Sequence, residues 1–426
     1  MISHHFRARN MFAPHKPREQ TIITLFPIYM LFLISSINGQ ANFNTTQGFS
    51  ATRLIAANTV RYPRTIVQDA AGDFLIVSER LGTITAIYQQ ESIYNTTIIV
   101  DGSDLGLNHG LVIKDSWIYA SSLTSVYRWG YEAGQRERIN TSPEIVITGM
   151  PLIGVHVTRT LLFDTEGRLY VSLGSFANAD ANTDRAKIRR FNITEIPESG
   201  IDFWSGEVVV DGVRNEVGLA FDSNGVLWGA GNNADMLVRD DLGGDIHDTN
   251  PGEELTKFDK QLGSFYGFPY CWTVDILENH TRGEQFAWPD FLNTTFNDGW
   301  CKNVSNNQPP TMVLPAHHAA LGLAFYNAEV CDTSEGAFPC SMKGDLFITF
   351  HGSYNREPPG GYKVARIPID AQTNMPTGEI LDILFEPDPS FCGRCLRPVG
   401  LLFDSRGHLI VTSDDSSEVI RITYDD

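Results

Sequence analysis

The chain has 426 residues, 42% of them hydrophobic and 11% aromatic, and a formal charge of −19. That apolar content supports a sizeable core and excludes a globally disordered or fibrous protein. The acidity excludes nucleic acid and anionic membrane surfaces as partners and favours neutral or cationic ones.

At the N-terminus, Arg7, Arg9, Lys16 and Arg18 precede the apolar run TIITLFPIYMLFLISSI, which ends in small and polar residues at Ser35, Ser36 and Gly39. That order predicts a secretory signal peptide over residues 1–40. The run is short and broken by Pro27, which argues against a permanent membrane anchor, and Met11 is an alternative start. Without residues 1–40, 28 basic residues stand against 50 acidic ones, a balance of −22. No membrane contact is expected after signal removal. Seven N-x-S/T sequons follow, at Asn44, Asn95, Asn140, Asn192, Asn279, Asn293 and Asn303. They predict a glycosylated, secreted, extracellular protein.

From residue 41 to 426 a single domain is expected, because one phrase recurs: an apolar strand, a tight turn with Asp and Gly, and a second apolar strand. Clear copies are RTIVQDAAGDFLIVSER from Arg64, RTLLFDTEGRLYVSLGS from Arg159, VGLAFDSNGVLWGAGNN from Val217 and VGLLFDSRGHLIVTSDD from Val399. Two degenerate copies are HGLVIKDSWIYASS from His109, and LGLAFYN with GDLFITFHGS between Leu321 and Ser353. Each reads as a β-hairpin, since branched and aromatic residues suit pleated strands and D-x-x-G supplies the turn. Six hairpins at spacings of about 45 to over 100 residues, without long helical patterns, predict an all-β, six-bladed β-propeller with loop insertions.

The stretch around 248–315, rich in Gly, Pro, Asn and aromatics, is expected to form one long rim insertion. Its Tyr266, Trp272 and Trp300 are candidates for stacking on a sugar ring, with internal packing as the alternative. All six cysteines follow residue 270, an even number suited to an oxidising compartment. Local pairing predicts Cys271–Cys301, Cys331–Cys340 and Cys392–Cys395 among the fifteen possible connectivities. The Cys392-Gly-Arg-Cys395 spacing also reads as a redox or metal motif, although no second CxxC or histidine pair completes a zinc site.

Inner strands of a propeller converge at one end of the channel, so equivalent blade positions become neighbours. Here they carry Arg64, His109, His156 with Arg159, Arg214 with Asn215, His351 and Arg397. A basic ring in an acidic chain predicts an anionic, carboxylate-bearing ligand; the alternative is that each Arg pairs with a local Asp.

The phrases LNHGLVI, VHVTRTLLFDTEGRLYVSLGS, VRNEVGLAFD, YGFPYCW, LPAHHAALGLAFY, FHGSYNREPPGGYKVARI and RPVGLLFDSRGHLIVTSDD, in that order, resemble the glucose/sorbosone dehydrogenase family. The resemblance covers nearly the whole chain after residue 50, and is narrowest to secreted fungal pyranose dehydrogenases that use pyrroloquinoline quinone. It implies an enzyme that oxidises a sugar by hydride transfer to that quinone, whose three carboxylates would meet Arg64, Arg159, Arg214 and Arg397. His109, Asn215 and His351 would be further partners of the cofactor, and His156 the general base. It also implies a Ca2+ ion acting as Lewis acid, expected at Asn232, Asn233 and Asp235, with Asp240 and Asp241 beyond. Val155 departs from the acidic residue that bacterial relatives carry before the histidine. The chain leaves no room for an appended haem or cellulose-binding module, so a separate external electron acceptor is expected, a haem protein or a copper oxygenase. Two rival readings stand beside this one. A calcium-dependent lactonase propeller would use Asn178, Asn215, Asn232 and Asp235, and a non-catalytic extracellular binding propeller would need none of these roles.

Overall fold

The computed structural model describes residues 41–425 apart from 328, 333 and 334, so the expected signal segment and its alternative start lie outside the described residues. Six sheets of four or five strands, antiparallel except where Ile201–Asp202 and Ser264–Phe265 join two of the outer edges in parallel, form the six blades of a propeller. Blade 1 holds Pro63–Gln68, Phe74–Ser78, Thr83–Gln90 and Ile93–Asp101. Blades 2 to 5 begin with Leu111–Lys114, Leu161–Phe163, Glu216–Phe221 and Ala320–Phe325. Blade 6 joins the two ends of the chain: Phe49–Arg53 pairs with Glu418–Tyr424, beside Leu409–Ser413 and Pro398–Phe403. A ring closed this way leaves no open seam between first and last blade.

The D-x-x-G turns have one cause in four blades. In each, the aspartate Oδ1 accepts from main-chain N–H groups two and four residues on, as Asp69 does from Ala71 and Asp73 and Asp404 from Arg406 and His408. Asp164 and Asp222 repeat the pattern. The glycine then takes a positive φ, +89° at Gly72 and +81° at Gly407, which L side chains rarely adopt.

The recurring glycine of the first strands answers to packing instead. A Cβ at Gly400 would lie 2.6 Å from the Arg64 carbonyl, and one at Gly322 would strike the Val399 carbonyl. Its absence lets innermost strands approach closely enough for hydroxyls to clasp the next blade. Ser121 Oγ donates to the Arg159 carbonyl at 2.8 Å, Thr160 Oγ1 to Val217 at 2.7 Å, Thr349 Oγ1 to Val399 at 2.7 Å and Thr412 Oγ1 to Arg64 at 2.6 Å. Asn232 Nδ2 does the same to Ala320 at 2.7 Å. The core consists of apolar wedges between neighbouring blades, such as Leu75, Val77 and Ile84 against Leu111, Ile118 and Ala120. Each such side chain contributes roughly 1.5–3 kcal/mol on burial.

The single insertion expected around 248–315 is interrupted. Glu253–Lys257 and Met312–Leu314 are the third and fourth strands of blade 4, so the extra chain falls into two stretches, 232–252 and 258–311. The sequence EELTK does not look like a strand because its carboxylates suggest surface, yet Glu253 is buried. Disulfides join Cys271 to Cys301, Cys331 to Cys340 and Cys392 to Cys395, the pairing expected from locality. No helix among the described residues is long and apolar enough to cross a membrane.

Candidate functional site

The positions just before each first strand and just after each second strand gather at one end of the channel, and their contacts form two corners. Blades 1, 2, 5 and 6 make the first. Arg64 Nη1 donates to Asp414 Oδ2 at 2.7 Å, and His351 Nε2 meets Asp414 Oδ1 at 2.9 Å. Arg64 Nε points to His109 Nδ1 at 3.4 Å. Burial by itself would raise the Asp414 carboxyl, but His351 and Arg64 overcome it and hold it far below the usual carboxylate range. Burial, with Arg64 beside it, drives His109 well down, so this ring is neutral. Arg397 Nη1 donates to the Gly352 carbonyl at 3.1 Å and Nη2 to Tyr362 Oη at 3.1 Å, with the guanidinium 4.6 Å from the Tyr362 ring centre. Among the described residues, Arg64 Nη2 and Arg397 Nε have no protein partner. This corner holds two arginines, two histidines and one carboxylate.

Blades 3 and 4 make the second corner. His156 Nδ1 lies 2.9 Å from the Ser175 carbonyl and 3.0 Å from Ser175 Oγ, whose own proton goes to the Ala177 carbonyl. Only a protonated Nδ1 satisfies both acceptors, so the half-buried ring presents an unprotonated Nε2. Burial, then Arg214, lowers His156 to about 4. Its seat is Gly174, where a Cβ would lie 2.7 Å from the His156 Cβ and 2.9 Å from Asn215 Oδ1.

Arg159 and Arg214 differ from the expectation that they grip a carboxylated ligand. Arg159 donates to the carbonyls of Leu123, His156, Thr158 and Pro151 at 2.8–3.4 Å and has no carboxylate partner; burial lowers it to about 10. Arg214 engages all five of its donors, with the carbonyls of Asn178, Asn232 and Asn233, with Asn178 Oδ1 and with Asp235 Oδ2 at 3.2 Å. A buried guanidinium needs that many acceptors, and the loops supply them from main chain. Both residues therefore tie loops together and lend charge without a free fork.

The same contacts correct the expected metal site. The main-chain oxygens of Asn232 and Asn233 and the carboxylate of Asp235 accept from Arg214, and Asp235 Oδ1 lies 3.4 Å from His317 Nδ1. The side chains of Asn232 and Asn233 donate to the carbonyls of Ala320 and Gly252. A guanidinium stands where an ion was expected, so this turn does not fit calcium. Asp240 and Asp241 lie apart from it, Asp241 being paired with Arg239. The rival lactonase set is taken up by the same network, since Asn178 binds Arg214 and the Asp235 main chain.

The insertion aromatics do not reach the site. Tyr266 and Trp272 are buried, and Trp300 packs on Phe265, Tyr270 and Phe296. Six of the seven sequon asparagines are exposed and Asn95 is half-buried. Asp414, Ser175, His317 and Tyr362 are site residues that sequence reasoning missed, and Asn178 was named only for the lactonase reading. Carrying the position after the second strand through all six repeats would have found Asp414 beside His351, and Gly174, the seat of His156, in blade 3.

The TrAA12-like family profile matches residues 43–425. A pyrroloquinoline quinone-dependent sugar dehydrogenase of Hypocrea jecorina is 31% identical over 84% of this chain and 84% of its own length. A pyrroloquinoline quinone-dependent pyranose dehydrogenase of Coprinopsis cinerea is 29% identical over 89% of this chain, which spans only 54% of that relative. Among solved structures, the family AA12 enzyme of Trichoderma reesei superposes with a TM-score of 0.79 at 28% identity, covering 91% of this chain and 98% of its own. The holo form of the Coprinopsis cinerea pyranose dehydrogenase quinone domain gives 0.78 at 27% identity, covering 90% and 97%.

Proposed function

The chain belongs to the TrAA12-like family, and from that premise and the geometry of its two corners we propose that it oxidises a sugar with pyrroloquinoline quinone as its cofactor. The observation that carries the proposal is the pairing across the channel end of an unprotonated His156 Nε2 with a corner whose cations keep free donors at Arg64 and Arg397. A tricarboxylate suits those donors, because guanidinium forks bind carboxylates through charge-assisted bonds. When bound, the quinone supplies the two-electron acceptor for the hydride that leaves the sugar carbon.

The chain's own residues do the rest. His156 Nε2 takes the proton of the sugar hydroxyl, and Ser175 holds the tautomer that makes this possible. Arg159, by gripping the His156 and Thr158 carbonyls, fixes the loop on which the base sits. Arg64, His351 and Arg397 hold the anionic cofactor. Asp414 keeps Arg64 and His351 oriented.

The Asn232–Asp235 turn is not offered as a calcium site, and no step here runs through that ion. Export through the signal segment, glycosylation at the exposed sequons, extracellular residence and electron transfer to a separate acceptor complete the proposal. The test is recombinant apo-protein titrated with the quinone, with and without calcium, followed by dye reduction across a panel of reducing sugars. A saturable change in the visible band and sugar-dependent dye reduction are expected. Quinone uptake without oxidation of any sugar, or no uptake, contradicts the proposal.

A further inference from the structure

Asp414, Asp235 and Glu253 are the carboxylates of the two corners, and they differ in how far they are covered. Glu253 is buried and accepts from the Asn233 N–H. Asp414 keeps 13% of its side chain exposed and is taken by Arg64 and His351 at 2.7 and 2.9 Å. Asp235, in the second corner, keeps 37% of its side chain exposed. Among the described residues that side chain meets only Arg214 Nη2 at 3.2 Å and His317 Nδ1 at 3.4 Å, one on each oxygen. An ionised carboxylate offers about four lone-pair sites, so about half of that capacity is left.

The open carboxylate is held firmly. Asp235 N–H donates to Asn178 Oδ1 at 2.7 Å, and Asn178 Nδ2 to the Asp235 carbonyl at 2.7 Å. His317 braces it from the other side: Nε2 lies 3.2 Å from the Asn250 carbonyl while Nδ1 faces Asp235, so both ring nitrogens meet acceptors and the ring is an imidazolium. Burial by itself would lower His317, but Asp235 and then Glu253 raise it above its ordinary value. Burial would likewise raise Asp235, and His317 and Arg214 hold it below the ordinary carboxylate value. The frame is shared with the base. Ser175 N–H donates to the Arg214 carbonyl at 2.8 Å, and the same Ser175 holds His156 Nδ1. Burial and Arg214 lower His156, and the charge of Asp235 works against them.

His156 Nε2 serves one hydroxyl, and a sugar brings several. Arg159 and Arg214 have spent their donors on loops, so what this corner still offers a ligand is acceptor capacity. A hydroxyl bonded to a carboxylate is roughly twice as strongly held as one bonded to a neutral group. We propose that Asp235 accepts a second hydroxyl of the sugar whose first hydroxyl His156 deprotonates, with His317 and Arg214 as the residues that position it. The substrate class that follows is a sugar presenting at least two free hydroxyls, not a monohydric alcohol. This inference rests on the sugar-oxidation reading and names the residue that sets its substrate affinity.

The experiment follows binding by calorimetry on protein loaded with the reduced cofactor, which takes up sugar without turning it over. The ligands are the best sugar of the panel and its monodeoxy analogues, each lacking one hydroxyl. Asp235→Asn keeps an acceptor for Arg214 and removes the charge, and its melting temperature and quinone titration report that the site is intact. It should raise the Kd of the parent sugar about tenfold. One monodeoxy analogue should bind wild type about tenfold more weakly than the parent and be insensitive to Asp235→Asn, because the hydroxyl that meets the carboxylate is already gone. The Kd keeps this separate from any change in the basicity of His156, which kcat reports. His317→Gln, which loosens Asp235 without touching the sugar, should give the same selective pattern at smaller size, and it decides the matter if Asp235→Asn does not fold. An unchanged parent-sugar Kd in the folded variant, alongside normal sugar oxidation by wild type, overturns the inference and leaves the sugar-oxidation reading standing. An equal rise for the parent and every analogue also overturns it, by making Asp235 merely structural. If wild type oxidises and binds no sugar, both readings fall together.

Discussion

The two corners of the channel end contain the same residue types and use them differently. At the first, Arg64 and His351 share Asp414, and Arg64 and Arg397 each keep a donor without a partner among the described residues. At the second, Arg159 and Arg214 spend their donors on loop carbonyls, and the group left open is the neutral His156 Nε2. Equivalent blade positions thus carry arginines with an open donor on one side and loop-tying arginines on the other. The difference lies in how many acceptors surround each guanidinium: Arg214 meets five and Arg159 four, whereas Arg64 and Arg397 each keep one nitrogen without an acceptor among the described residues.

The largest expected effect is at the open base. His156→Ala should lower kcat by about 10²- to 10⁴-fold with the quinone isotherm nearly unchanged, measured by steady-state dye reduction and spectral titration. Near-normal turnover would move the base elsewhere.

Next come the scaffold arginines. Arg159→Ala and Arg214→Ala should each destabilise the protein by about 2–4 kcal/mol in denaturant unfolding, because buried carbonyls and Asp235 lose their donors. Loss of quinone affinity without loss of stability in these variants would erase the distinction between the corners.

The smallest effect is a pH dependence. Burial raises the Glu253 carboxyl, which accepts from the Asn233 N–H and faces His317, Asp235 and Arg214, to about 7. A carboxyl whose folded value exceeds its unfolded one stabilises the fold below the unfolded value and loses that contribution as pH rises through about 7. The term is on the order of 2 kcal/mol. His156, lowered to about 4 by burial and then Arg214, works from the other side, its contribution fading as pH falls from its unfolded value through about 4. Melting temperature should therefore fall from pH 6 to pH 8, and Glu253→Gln should flatten that fall. An identical slope in the variant would contradict the assignment.

How much of this was legible in the sequence depended on whether a residue's role is local. The hairpins were legible because Asp69, Asp164, Asp222 and Asp404 bond within four residues of themselves. The local disulfides were legible for the same reason. The two outer strands of blade 4 were not, because burial of charge has no sequence signature. Glu216 lies across Gly229 and Gly231 with Oε1 unpartnered, and Glu253 sits on a strand that looks like surface. The ring of arginines was legible as a set of positions but not as a set of roles, since Arg214 finds its acceptors at Asn178 and Asn233, in two different loops. The metal turn failed for that reason too: oxygens that suit an ion suit a guanidinium equally well.

The claim that only the first corner holds the cofactor is tested most directly by titrating pyrroloquinoline quinone into the apo forms of wild type and Arg397→Ala while following binding by calorimetry. Removing one fork should weaken binding by about tenfold or more, with the melting temperature of the apo-protein little changed. An isotherm for Arg397→Ala indistinguishable from wild type would contradict the account.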